Sequence, residues 1–144
     1  ILTEASNHGI TKERIIFAEK MNLEDHMSRH SYGDLFLDTF NFNAGTTAQI
    51  ALATGLPIIT LLGKSYSARM AASIIRSYEI NELITHTPSE YEALAYELAT
   101  NKEKLNDIRQ KIRLQLDSSL LDSLNYTREL EGVYNQVIKN HKMP

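Results

Sequence analysis

The stretch "LFLDTFNFNAGTTAQIALATGLPIITLL", Leu35 to Leu62, decides how this chain is read. It opens on a short apolar run, crosses a loop of small and polar residues, continues as a helix and closes on a second apolar run. Leu35-Phe36-Leu37 reads as a buried strand. Thr46 to Thr54 reads as a helix, with Gly55 just past its end and Pro57 preventing continuation. Pro57 to Leu62 reads as the next strand, with Pro tolerated at its first position. Strands that are continuously apolar and joined through a helix predict a parallel sheet covered on both faces.

The alternation extends both ways. Residues 1–8 read as the end of a helix, stopped at His8-Gly9. Arg14-Ile15-Ile16-Phe17 reads as a further buried strand. Asn22-Leu23-Glu24-Asp25 is an N-cap followed by acidic first-turn residues, opening a helix to about Ser31. Ser65 or Ser67 starts a helix through about Tyr78, and Leu83-Ile84-Thr85 is a short strand. Beyond it the chain is helical. Thr87 caps a helix with Pro88 at its first position and Glu90 at its third, and Tyr91, Leu94, Ala95 and Leu98 mark its apolar face. Asn101 caps the next helix, with Leu105, Ile108 and Ile112 inward. Tyr126, Leu130, Val133, Tyr134 and Val137 give a last amphipathic helix, and "LDSSLLDSLN", Leu116 to Asn125, is the break before it.

The expected fold is α/β: a Rossmann-like parallel sheet of about four strands over residues 9–86, with helices on both faces, and C-terminal helices over 87–144. All of it forms one domain. So small a sheet with so long a helical tail leaves an exposed parallel edge, which predicts further strands upstream.

The chain has 144 residues, a formal net charge of -3 and no cysteine. These values argue against a general nucleic-acid binder, a disulfide framework and a thiolate metal site. No apolar run approaches the roughly 20 residues of a membrane span. "ILTEASNHGITKER" lacks the basic start and apolar core of a signal peptide, so a cytoplasmic location is expected. The chain does not begin with Met, and a piece of something longer is the expectation.

The chemistry gathers at the loop after Leu35–Leu37. Ligands of open parallel sheets sit outside the carboxyl ends of strands. Asn43-Ala44-Gly45-Thr46-Thr47-Ala48 offers small side chains, hydroxyl donors at Thr46 and Thr47, and the free N–H groups of a helix start. That makes an anion site without Lys or Arg. The same residues also serve as a plain helix cap, and alone they leave both readings open. No G-x-G-x-x-G is present. "GKS" at Gly63–Ser65 resembles the end of a P-loop, but Ile58 stands where that motif needs Gly. Lys64 still follows a strand and is a secondary anion candidate, as is Asn43. His26 and Arg29 share a helix face at i, i+3 spacing; a His can stack on a base and an Arg can hold an oxygen. His30 faces elsewhere and is weaker. Asp38 is read as fixing the loop through backbone N–H groups. His8, His86 and His141 have no metal-ligand spacing, so no metal is proposed.

Taken in order, "RIIF", "DH..R", "DLFLDTF.FNAGTTA..AL..GLP" and "LGKSYSARMAAS" closely resemble the C-terminal catalytic lobe of O-linked N-acetylglucosamine transferases of the SPINDLY type. "THTPSEYEALAYELATNKEKLNDIRQKI" and "YTRELEGVYNQV" resemble that family's ending. The resemblance implies the donor-binding lobe of a GT-B glycosyltransferase. The family transfers N-acetylglucosamine from UDP-N-acetylglucosamine to Ser or Thr of proteins, with inversion and without a metal or other cofactor. It implies His26 against the uracil with Arg29 nearby, Met21 at a main-chain contact to the base, and Gly45, Thr46 and Thr47 on the diphosphate. The implied partners are the nucleotide-sugar donor and a protein acceptor held by regions outside the chain. A missing first lobe and tetratricopeptide repeats complete the set, with neither nucleic acid nor membrane expected. No catalytic residue is expected within the chain, which alone should not transfer sugar. The chain departs from the pattern at Ile50, where the family commonly has an Asp on the ribose, and at Leu23, where some members have Lys. These departures keep one rival in view, a non-catalytic interaction domain; a second, a relative moving another hexose to Asn, turns on the acceptor half.

Overall fold

Local chemistry sets most of the boundaries in the computed structural model, which describes residues 1–116 and 123–141. The first helix, α1 (Leu2–Asn7), ends at His8 with Gly9 at φ +73°, a left-handed conformation that glycine adopts without steric cost. Asn22 caps α2 (Leu23–His30) by accepting from the Asp25 N–H at 2.9 Å. Strand β1 (Phe36–Leu37) leads through a loop to α3 (Thr46–Ala53), which Gly55 at φ +81° terminates. Strand β2 (Ile58–Leu61) follows, then a single 3-10 turn (Ser67–Arg69) running into α4 (Met70–Ser77), then β3 (Ile84–Thr85). Thr87 accepts from the Glu90 N–H to cap α5 (Pro88–Thr100). Asn101 accepts from the Lys104 N–H to open α6 (Lys102–Leu116), and α7 spans Ser123–His141.

The sheet is parallel in the order β1-β2-β3, with Phe36 opposite Ile58 and Thr60 opposite Ile84. Two crossovers in the same direction place α3 and α4 on one face, given the right-handed rule for such connections. Ile58, Ile59 and Thr60 are consecutive and all fully buried. Successive strand residues point to opposite faces, so both faces of β2 are covered, and α5 with α6 behind it supplies the second cover. Ile75, Leu83, Leu98, Ile108 and Ile112 join β2 in one core. Arg109 ties α6 to the connection before β1, donating to the Gly33 carbonyl and to Asp34 at 3.1 Å each.

Several expectations are corrected. The sheet has three strands rather than four among the described residues. Arg14–Phe17 is not one of them: Arg14 closes a 3-10 turn, Ile16 is 87% exposed and Phe17 61%. Ile15 has extended dihedrals, but no neighbour among the described residues supplies it a hydrogen-bond ladder, and a parallel strand exists only as part of a pair. Strand β1 is half open, with Leu37 at 57% exposure, because it is an edge of the sheet. The apolar stripe of α7, Tyr126 to Val137, is exposed along its length instead of packed. The expected break at Leu116–Asn125 falls largely outside the described residues.

The turn after β2 depends on one glycine. The Gly63 N–H donates to the Ala68 carbonyl at 2.8 Å, and a Cβ at position 63 would lie 2.5 Å from the Ala68 Cβ. Gly63→Ala is therefore expected to destabilise the chain by about 1–3 kcal/mol through overpacking. Urea denaturation measures this, and an unchanged midpoint would refute the close approach.

Candidate functional site

The site begins at the carboxyl end of β1. Asp38, 4% exposed, turns its carboxylate back into the protein. One oxygen, Oδ1, accepts from the N–H groups of Thr39 at 2.9 Å and Ala44 at 2.7 Å; the other, Oδ2, accepts from the Thr60 hydroxyl at 2.6 Å. The Tyr91 hydroxyl donates to the Asp38 carbonyl at 3.0 Å, tying α5 to the same residue. The expectation that Asp38 fixes the loop is met, and it gains two anchors from elsewhere in the chain.

Asn43 is the next fixed point. Its N–H donates to the Ser67 carbonyl at 2.9 Å, and its side-chain N–H donates to the Thr39 carbonyl at 2.7 Å. Its Oδ1 is buried without a partner among the described residues. Asn43 and Ala44 thus spend their backbone N–H groups on the protein. The next amides do not. The N–H groups of Gly45, Thr46 and Thr47 have no acceptor among the described residues, and Gly45 caps α3 with no side-chain bond. Thr46 and Thr47 are exposed, with hydroxyls that make no bond among the described residues. Unpaired amides, hydroxyls and the partial positive charge of a helix start converge on one point. Such an arrangement binds anions.

Clefts meet at this point. One of about 320 Å³ lies at the end of β1, lined by Asp38, Phe42, Asn43, Gly45 and Thr47. A second, also of about 320 Å³, runs between α2, α3 and α4, lined by Met27, Thr46, Gln49, Ile50, Ile74 and Tyr78. A third of about 480 Å³ lies between α3 and α4, where Gly45, Thr46, Gln49, Tyr66, Arg69 and Arg76 take part in its wall.

On α2, the Arg29 guanidinium donates to His26 Nδ1 at 2.8 Å and to the Glu19 carbonyl at 3.2 Å. His30 does not face away as expected; its ring meets that of His26 edge to face at 4.7 Å, and its Nδ1–H donates to the His26 carbonyl at 2.7 Å. Accepting from Arg29 leaves His26 with its proton on Nε2. Burial lowers the His26 pKa below its ordinary 6.5, and the neighbouring His30 and Arg29 lower it further. The ring is neutral at neutral pH. Helix α2 packs on α3, and Met27 shares a cleft with Thr46. His26 and Arg29 themselves lie outside the linings of the clefts that meet at the loop.

The family model for glycosyl transferase family 41 matches residues 1–130. The chain belongs to glycosyl transferase family 41. It is 30% identical over 135 residues to the UDP-N-acetylglucosamine–peptide N-acetylglucosaminyltransferase of Caenorhabditis elegans, which covers 93% of this chain and 12% of that protein. It is 32% identical over 114 residues to the probable SPINDLY enzyme of the same description from Hordeum vulgare, covering 78% of this chain and 12% of that one. Among solved structures it matches a mutant of the Thermobaculum terrenum O-GlcNAc transferase with a TM-score of 0.87 and 28% identity, over 94% of this chain and 26% of that one. The chain thus spans a small part of its relatives' length.

As a family 41 chain it gathers Gly45, Thr46 and Thr47 into one donor cluster and holds His26 and Arg29 as a bonded pair. Met21 is 39% exposed, in the segment before α2. Lys64 is exposed and lies outside the linings of the three clefts. Ile50 presents an apolar side chain to the α2–α3–α4 cleft, and Leu23 is 65% exposed. Sequence reasoning missed Gln49 and Arg69. Gln49 was legible, one residue before Ile50 on the same helix. Arg69 was not, because only the packing of α4 against α3 brings it to the loop.

Two measurements check this geometry. An NMR titration should place the His26 midpoint below 6.5, moving up in Arg29→Gln; a midpoint at or above 6.5 would contradict the packing around the ring. Burial, with Asp38 adding to it, pushes the Tyr91 hydroxyl from 10.0 up to about 12. The folded state therefore favours the neutral phenol. That contribution is complete below pH 10 and is lost as pH rises through about 12. Tyr91→Phe should cost about 1 kcal/mol at neutral pH and blunt the alkaline loss of stability; an unaltered alkaline transition would count against the Tyr91–Asp38 bond.

Proposed function

We propose that this chain is the nucleotide-sugar-binding part of an inverting protein O-glycosyltransferase that takes N-acetylglucosamine from its UDP ester to Ser or Thr hydroxyls. The observation that carries the reading is the run of unpaired amides at Gly45, Thr46 and Thr47 at the start of α3, in a family 41 chain. The family and the names of its relatives supply the substrate class. In this reading the amide run takes the diphosphate.

The chemistry follows from the leaving group. The acceptor oxygen bonds to the anomeric carbon as that carbon's bond to the β-phosphate oxygen breaks. The electron pair stays on the phosphate, and the hydroxyl proton passes to a base outside this chain. Negative charge grows on the diphosphate as the bond breaks, and preorganised donors lower the barrier where charge develops. Amides held by Asp38 and Asn43 need no reorganisation to do this. In this reading no metal is required at the diphosphate. The neutral His26 ring takes the uracil face, Arg29 holds that ring in place, and the backbone at Met21 meets the base edge. Gln49 offers a carboxamide in the cleft where Ile50 offers none. The acceptor protein and its base belong to a first lobe beyond this chain, and the chain alone does not transfer sugar.

Titration with UDP, followed by calorimetry and amide NMR shifts, tests the reading. Shifts are expected at Gly45, Thr46, Thr47 and His26. Thr46→Ala should weaken binding by about 1.5–3 kcal/mol, as loss of a bond to a charged group does. No shift at millimolar UDP would overturn the donor-site assignment.

The apolar Ile50 favours a second reading, an interaction domain that keeps the fold with a degenerate donor site. Ile50→Asp separates the two: UDP binding that arises only in this variant would mark the native chain as the degenerate form.

A further inference from the structure

We propose that His26 and Arg29 form a proton-operated clasp on the segment before α2: neutral His26 holds the Arg29 guanidinium on the Glu19 carbonyl, and a proton on His26 Nδ1 releases it. The consequence for the donor, that base recognition is lost under mildly acidic conditions, rests on the reading of His26 and Met21 above. The clasp itself does not.

The first support is how little else holds this segment. Residues 16–22 are all exposed. Among the described residues, the bond from Arg29 to the Glu19 carbonyl, at 3.2 Å, is the one hydrogen bond that joins residues 1–21 to the rest of the chain. Met21 lies two residues beyond Glu19 and just before the Asn22 cap of α2. Its backbone is therefore placed from two sides, by the cap and by Arg29.

The second support is the chemistry of the bond that steers Arg29. A guanidinium only donates and stays charged, so His26 Nδ1, 2.8 Å from it, must offer a lone pair. A protonated imidazole carries hydrogen on both nitrogens and has no such lone pair. Protonation thus replaces an attraction with two facing donors of like charge.

The third support is that the surroundings do not offset that charge. Arg29 and His30 contact the ring, and both are cationic when protonated. Helix α3, packed on α2, has no ionisable side chain. Tyr78 lines the α2–α3–α4 cleft, and burial raises its pKa above 10.0, so it stays neutral. Glu19, Lys20, Glu24 and Asp25 are exposed, and Asp25 accepts from the Asn22 side chain. Burial first, then His30 and Arg29, lower the His26 pKa below 6.5. The clasped form therefore binds fewer protons than the released form, and rising pH favours it.

Amide NMR of the full 144-residue chain is followed from about pH 7.5 to about pH 5 together with the His26 ring nitrogens. The Lys20 amide shares a peptide group with the Glu19 carbonyl. It and the Met21 amide should shift with the midpoint of the His26 ring. That coupling should vanish in Arg29→Gln and persist in His30→Gln. In His26→Asn, whose carboxamide oxygen accepts at every pH, both amides should hold their neutral-pH positions throughout. UDP-N-acetylglucosamine lacks the terminal phosphate that titrates near pH ~6, so its binding reports the protein. Its affinity should fall with pH, approaching about tenfold per pH unit below the His26 midpoint, the limit for one proton. The clasp is refuted if His26 titrates while Lys20 and Met21 stay still, or if their shifts persist in Arg29→Gln. A His26 ring that takes up no proton above about pH 5 refutes it as well. A clasp that titrates beside a constant donor affinity refutes its part in base recognition. If the wild type binds no donor at any pH, the donor-site reading falls, and the ring and amide titration still decides the clasp.

Discussion

Asp38 places an ionisable side chain almost wholly inside the protein, at the junction of β1, β2, α5 and the loop before α3. A buried carboxylate without hydrogen bonds is strongly unfavourable. Here it is met by backbone N–H groups at Thr39 and Ala44 and by the Thr60 hydroxyl. The loop therefore has to fold back over Asp38 to place the Ala44 N–H on its carboxylate. Once that contact forms, the next amides, at Gly45, Thr46 and Thr47, meet no acceptor among the described residues. The donor cluster at Gly45–Thr47 is a consequence of satisfying Asp38.

The sheet beneath this junction is small, and among the described residues β2 is the only strand covered on both faces. The adjoining strands are short because each has a partner on one side only. The unpaired amides lie where the most constrained elements end: they follow the end of β1, the α3 cap faces α4, and α2 lies against α3. The remaining helices brace this arrangement from behind. Tyr91 carries the bracing from α5 into the site itself, and Arg109 carries it from α6 to the segment leading into β1.

Capping residues were legible in the sequence. Asn22, Thr87 and Asn101 each bond an N–H three residues ahead, so the few residues around them contain the whole interaction. Helix ends at Gly9 and Gly55 were legible for the same reason. The buried faces of α5 and α6 followed from their period. Arg14–Phe17 was misread because an apolar run is necessary for a buried strand but does not provide the neighbour it pairs with. The stripe on α7 was read correctly as amphipathic, while its burial depended on a surface that periodicity cannot supply.

By itself, the sequence determined the family, the strand–loop–helix order around Gly45, and which residues could offer donors to an anion. Motif order and local hydrogen bonding are properties of neighbours along the chain. Only the tertiary structure decided which donors are free, because that required knowing which amides Asp38 and Ser67 had already engaged. It also put Arg69, and not Lys64, in the wall of the cleft between α3 and α4, and turned Arg29 onto His26. Those outcomes depend on the packing of α4 against α3 and on contacts at the start of α2. The direction of a long charged side chain is set by what surrounds it, and residues distant in sequence provide those surroundings.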